Sequence, residues 1–170
     1  MKRILIRLLL AGLSLLPLTA CDAGRLAERI RIEGVERVRT QGFTRLQLVL
    51  RVANETGRNL RLKEATLAFY PPEASEAIAT AVLAEPVVVH RRTTGAVDTR
   101  WRVEYARALA WMPLLRALEG GTLDGWRVSL RLKGRSGLVS ANISEERVPL
   151  SLFLRTFGID STSVANTVNP

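Results

Sequence analysis

The chain has very few of the side chains that most often build metal and catalytic sites. Its 170 residues contain one cysteine, Cys21, and one histidine, His90. A disulfide needs two cysteines, and zinc sites commonly combine several cysteine and histidine ligands. Any serine–histidine–aspartate triad would depend on His90 alone. The composition therefore excludes an internal disulfide and a multi-cysteine metal site, and we expect neither a metal nor a cofactor.

The apolar run near the N-terminus is too short to cross a membrane. It covers residues 8–20, which is 13 residues, whereas a spanning helix needs about 17 to 25. Arg7 precedes this run, and Pro17 weakens a helix within it. Lys2 and Arg3 at the start, a short apolar core and small residues at its end are typical of a secretory signal peptide.

Cys21 follows directly on Leu18-Thr19-Ala20, and this stretch resembles the lipobox of bacterial lipoproteins. The cysteine supplies the thiol that accepts a diacylglycerol group, and its amine becomes free for a further acyl chain, such as palmitate, after cleavage. We therefore expect a signal peptide at 1–20, lipidation of Cys21 and a short tether at 21–28. The mature protein would be anchored by its acyl chains in the bacterial cell envelope and face the periplasm.

The positive charge of the chain is smaller once the signal peptide is set aside. Three of the 25 basic residues lie within 1–20, which leaves 22 against 16 acidic residues and a net charge of +6. Because the arginines are spread along every segment and the chain is exported, we expect no nucleic-acid partner. The excess indicates either attraction to anionic lipid headgroups and acidic envelope polymers or simply solvated strand faces that use arginine.

Between the tether and the C-terminus the dominant sequence period is two. Leu46, Leu48, Leu50 and Val52 alternate with mostly polar residues, and the same pattern recurs at 30–32, 60–69, 126–132 and 148–152. Turn residues separate these runs, for example in 133–137. The pattern predicts an all-β domain at 29–157, an antiparallel immunoglobulin- or fibronectin-III-like sandwich, followed by a disordered tail at 158–170.

One segment breaks this period. Residues 104–118 are rich in Ala and Leu and end before Gly120-Gly121, which predicts an inserted helix with a glycine stop and a kink at Pro113. The helix has little polar surface, and Trp111, Met112 and Leu115 share its apolar stripe. It either closes one end of the sandwich or presents these three side chains to a partner or ligand.

The order of these elements resembles the late embryogenesis abundant type 2 family, also called the water stress and hypersensitive response domain. The similarity covers roughly residues 30–155 and is clearest in the hairpin 42–70, where Asn54 follows an apolar strand. The family has Asn-Pro-Asn at that point, and here only Asn54 matches. The resemblance implies a sandwich with one helix, no known catalytic residues and a link to water stress. From the residue itself, Asn54 is expected to bond the backbone of its own turn.

No catalytic constellation emerges from the sequence. His90 and Asp98 could be combined on paper with Ser129, Ser136 or Ser140, but no Gly-x-Ser-x-Gly places a serine as nucleophile. Adjacent Glu145 and Glu146 would point to opposite faces of a strand. We therefore expect a non-enzymatic protein. It is either an interaction or stress-protective module that contacts other envelope proteins, or a carrier domain that binds an apolar ligand such as a lipid.

The lipobox interpretation is testable at its single thiol. Cys21→Ser removes the only possible acceptor for diacylglycerol, so incorporation of radioactive palmitate should fall to background. The protein should also remain unprocessed or become soluble. Palmitate labelling at the wild-type level in this variant would rule out Cys21 as the anchor.

Overall fold

The computed structural model describes residues 29–42, 44–107 and 109–157. The predicted signal peptide, Cys21, the tether and the C-terminal tail lie outside these ranges and remain predictions. Within these ranges, no helix combines the length and the hydropathy that crossing a bilayer requires.

Eight antiparallel strands and two helices make up the described chain. The strands are β1 (Ile30–Gln41), β2 (Arg45–Asn54), β3 (Leu60–Tyr70), β4 (Ala79–Leu83), β5 (Val87–Val89), β6 (Thr93–Tyr105), β7 (Arg127–Ser136) and β8 (Val139–Pro149). Helix α1 (Met112–Glu119) connects β6 to β7, and helix α2 (Leu150–Thr156) follows β8.

The strands form the two layers of a β-sandwich. Their hydrogen-bonded order is β1-β2-β6-β4-β3-β7-β8, and β5 pairs with β3. One layer is β1-β2-β6 and the other is β4-β3-β7-β8, joined where Ala79–Leu83 of β4 pairs with 101–105 of β6. Side chains from both layers meet in one apolar cluster, in which Leu46 and Trp101 lie with Leu67 and Val128. The predicted immunoglobulin- or fibronectin-III-like sandwich is thus confirmed.

The register places the helices and the start of the sandwich at opposite ends. Ile30 at the beginning of β1 pairs with Asn54 at the end of β2, and Asn54 also pairs with Thr93 at the start of β6. Tyr105 and Pro149, which lead toward α1 and α2, end their strands at the other end. We call these the Asn54 end and the helix end.

The inserted helix is present but shorter than the predicted 104–118. Strand β6 continues through Tyr105, and α1 begins only at Met112. Pro113 lies in the first turn and therefore starts the helix instead of kinking it, since its missing N–H has no intrahelical acceptor there. The glycine stop is confirmed, because Gly120 caps the helix and Gly121 has φ +64°.

The prediction of a strand through 148–152 is wrong beyond Pro149. Pro149 ends β8, and Leu150 begins α2, whose Leu150 and Leu154 are buried in the core. These two residues are four apart and share one helical face, whereas Leu150 and Leu152 would share a strand face. Three apolar residues, Val148, Leu150 and Leu152, were too few to distinguish the period of a strand from that of a helix.

The role of Pro113 can be measured by comparing two proline changes in α1. Pro113→Ala should alter the free energy of unfolding by less than about 1 kcal/mol, because a first-turn proline breaks no hydrogen bond. Ala117→Pro should cost about 3 kcal/mol or more, because Ala117 is in the helix interior and buried. Urea unfolding followed by tryptophan fluorescence gives both values. A gain near 3 kcal/mol from Pro113→Ala would instead indicate a strained interior proline.

Candidate functional site

The most fully bonded polar side chain of the structure lies at the Asn54 end. Asn54 closes β2, its exposed fraction is 0%, and both ends of its amide are occupied. Its Nδ2 lies 3.1 Å from the carbonyl oxygen of Arg58, 3.2 Å from that of Val89 and 3.0 Å from that of His90. Two N–H groups thus serve three carbonyl oxygens, so one N–H is shared.

The acceptor side of the amide organises the turn after β2. The backbone N–H of Thr56 donates to Asn54 Oδ1 at 3.1 Å, and the Thr56 hydroxyl lies 2.6 Å from the same oxygen. That hydroxyl also lies 2.8 Å from the carbonyl of Arg58, and it accepts from the Arg58 N–H at 3.3 Å. The expected local role of Asn54 is confirmed, because its side chain bonds the backbone two and four residues ahead.

The same amide also reaches across the sandwich, which the sequence did not predict. Asn54 belongs to the β1-β2-β6 layer, whereas Val89 ends β5, which pairs with β3 of the other layer. Two further hydrogen bonds reinforce the link, from Arg92 N–H to the Thr56 carbonyl and from Arg91 N–H to the side-chain Oδ1 of Asn59. Asn54 therefore fixes the β2–β3 and β5–β6 turns to one another.

The start of the sandwich is held at this end as well. The N–H of Glu55 donates to the carbonyl of Arg29 at 2.9 Å, and the Arg31 guanidinium pairs with the Glu55 carboxylate. The turn that follows Asn54 thus binds the residues at which the described chain enters β1.

A shallow depression of about 630 Å³ opens between the turns of the Asn54 end. It is lined by Gly57, Arg58, Asn59, His90, Arg91 and Gly137. Apart from two glycines these residues are polar or basic, and the depression is open to solvent, so it suits an anionic group at the surface and not an enclosed apolar ligand.

The three predicted contact residues of the inserted helix lie at the opposite end, partly buried. Leu115 packs against the apolar core, as does its neighbour Leu114. Trp111 precedes the first residue of α1, Met112, and neither belongs to that core cluster. The structure thus separates Leu115, which has a packing role, from Trp111 and Met112. Nearby, burial raises the pKa of the Tyr105 hydroxyl above its usual range, so Tyr105 stays protonated at neutral pH.

Two of the residues that could have formed a triad, Asp98 and Ser129, are engaged elsewhere. The Asp98 carboxylate accepts a hydrogen bond from Gln47 Nε2 at 2.6 Å. Ser129 Oγ accepts from the backbone N–H of Arg147. Ser136 is buried, and its Oγ has no hydrogen-bond partner among the described residues. Among the described residues, no group of three or more His, Cys, Asp or Glu side chains could hold a metal ion.

Comparisons with known proteins add little to this geometry. No protein-family model matches the chain, and no curated protein matches its sequence. Among solved structures, the chain is similar to the crystal structure of the yeast GGA1 GAE domain, at 12% identity and a TM-score of 0.29. The match covers 69% of this chain and 99% of that one. Such a TM-score is too low to assign a shared fold, so the architecture rests on strand order and register.

Asn54 and Asn59 form a matched pair for testing the turn. Asn54→Ala leaves three carbonyl groups without their donor, so it should lower the free energy of unfolding by about 3 kcal/mol or more. Asn59 is exposed and accepts one bond, so Asn59→Ala should cost less than about 1 kcal/mol. Urea unfolding in one common buffer compares them, and equal losses would contradict the bridging role.

Asn54→Asp separates shape from hydrogen-bond donation. The carboxylate keeps the acceptor for Thr56 but places negative charge against three carbonyl oxygens, which raises its pKa in the folded state. The loss of stability should therefore be large at pH 7 and shrink as the pH falls from the raised pKa of the folded state toward about 4; below about 4 the group is protonated in both states and the loss changes no further.

Proposed function

We propose that the protein is a non-catalytic lipoprotein, anchored through Cys21 to a membrane of the bacterial envelope, whose β-sandwich contacts other envelope proteins. The observation that carries this proposal is the Leu18-Thr19-Ala20-Cys21 lipobox, which lies eight residues before Arg29. Two or three acyl chains at one cysteine give durable anchoring, which a single chain does not.

Two structural features support a late embryogenesis abundant type 2-like domain. An asparagine ends the apolar strand β2 and organises the following turn, where the family has its Asn-Pro-Asn signature. A short helix lies between β6 and β7, in the order that the resemblance implies. On this basis we assign the domain a stress-protective or contact role, with no chemistry of its own.

The helix end is the favoured contact surface. Leu109, at the turn before α1, is 62% exposed, and it lies beside the partly buried Trp111 and Met112. One exposed and two partly exposed apolar side chains at one place suit a protein contact. An apolar-ligand carrier is less well supported, because Leu114, Leu115 and Leu118 of α1 contribute to the packed core there.

Native mass spectrometry of the lipidated protein, released in mild detergent, tests the contact role. We expect the acylated chain in a complex with another envelope protein. Met112→Ser should weaken the complex, and Arg116→Gln, on the exposed side of the same helix, should not. Leu115→Ser should mainly lower stability, by about 1 to 3 kcal/mol, because this side chain packs on the core.

Two other results would contradict the proposal in different ways. A phospholipid that stays bound beyond the covalent acyl chains, and is lost in Met112→Ser, would establish the carrier function instead. A bare acylated chain under all conditions would leave the anchor intact and remove the contact role of the helix.

A further inference from the structure

The turns of the Asn54 end carry a concentrated positive charge. The connections 55–59, 90–92 and 137–138 contain three arginines and one acidic residue, Glu55, which pairs with Arg31. Four more arginines lie at the adjoining strand ends. We call this surface the basic end; its arginines are Arg29, Arg31, Arg58, Arg61, Arg91, Arg92 and Arg135, all exposed.

The connecting segments at the opposite end have the reverse balance. The connections 42–44, 71–78 and 106–126 contain two arginines and four acidic residues, Glu73, Glu76, Glu119 and Asp124. When Arg45, Arg127 and Arg147 at its adjoining strand ends are included, the helix end is close to neutral, so the positive charge is concentrated at the basic end.

Two arginines of the basic end are placed directly against each other. Arg61 of β3 and Arg135 of β7 are Cα partners in the antiparallel register, so their side chains share one face. Neither forms an ion pair within the described residues. Like charges opposite one another lower the stability of a sheet, and an anion outside the protein would relieve that repulsion.

An apolar side chain projects from the same surface. Leu138 is at the tip of the β7–β8 hairpin and is 98% exposed. The neighbouring Gly137 has φ +61°, and a Cβ there would lie 2.9 Å from Cδ and Nη1 of Arg58. The arginine side chain thus lies along the hairpin, with a leucine beyond it.

We propose that the basic end binds the surface of a bilayer containing anionic phospholipid, with Leu138 inserted among the lipids and the arginines on the phosphates. This inference rests on the proposed anchor for its orientation. Arg29 enters β1 at this end, and eight residues from Cys21 span at most about 28 Å, so the acyl chains hold the basic end near the membrane.

A bilayer fits these features better than a soluble acidic polymer does. Both would neutralise the arginines, and each arginine near an anionic surface strengthens binding roughly fivefold. Only a bilayer also offers an apolar layer for a fully exposed leucine beneath its phosphates. The same pairing of a basic surface with an apolar side chain is used by helices that lie in the interface.

The test uses the lipidated full-length protein carrying Leu138→Cys, labelled with a maleimide derivative of the environment-sensitive dye NBD. The labelled protein is reconstituted into vesicles of phosphatidylcholine with 30 mol% phosphatidylglycerol, or of phosphatidylcholine alone. We expect the NBD emission in the anionic vesicles to be at least twice that in vesicles of phosphatidylcholine alone, and to be shifted to the blue relative to it. Leu109→Cys at the helix end is the matched control and should not respond.

Charge variants test the arginines in the same assay. Arg61→Gln combined with Arg135→Gln should at least halve the response at position 138, and 0.5 M NaCl should reduce it as well. Arg107→Gln combined with Arg116→Gln, which removes two charges at the helix end, should leave it unchanged. Equal emission in both vesicle types, or equal responses at positions 138 and 109, would overturn the proposal.

The number of labels separates failure of this inference from failure of the anchor. An acylated Cys21 has no free thiol, so mass spectrometry should find one dye per chain. Two dyes per chain would show that Cys21 is not lipidated and refute the anchor, and with it the orientation on which this inference rests. One dye without a response in anionic vesicles would refute the docking alone.

Discussion

The buried amide of Asn54 is the constraint on which one whole end of this sandwich depends. Hydrogen bonds between neighbouring strands hold each layer together, but the turns between strands lack these regular backbone bonds. A side chain with two donors and one strong acceptor, removed from water, stabilises only the arrangement in which all its partners are present. Those partners come from the β2–β3 turn and from the end of β5. Two of the turns that carry the basic end are therefore held together by one residue that carries no charge.

Sequence patterns predicted the β-architecture well, because apolar and polar residues alternate along strands that have one solvent-exposed face. They failed where the residues carry little periodic signal. Strand β4 was not predicted because Ala79 and Ala81 are small and poor strand formers, although the burial of 79–83 alternates strictly. The extent of α1 was misjudged and α2 was not predicted, because Pro113 and Pro149 each fit more than one position. Only the surrounding packing selects the first helical turn for one and the strand end for the other.

For the candidate sites too, features that depend on neighbouring residues were predictable, and features that depend on residues far apart in the sequence were not. The capping role of Asn54 was predictable from the residues beside it, whereas Val89 and His90 lie 35 and 36 positions away. The basic end could not be predicted from the sequence, because its arginines come from separate segments. Their convergence follows from topology: in an antiparallel sandwich, many of the strand-to-strand turns return to the same end.

The polarity of the domain links the two proposed surfaces. A strand of ten residues spans about 33 Å, and β2 and β7 each have ten residues between the basic end and the helix end. With the basic end on the bilayer, Trp111 and Met112 would be held about that far from the phosphates, beyond the reach of the acyl chains proposed at Cys21. An apolar surface in that position is accessible to other proteins but not to acyl chains of the bilayer. The orientation thus favours a contact module over a lipid carrier, on grounds independent of how tightly the core is packed.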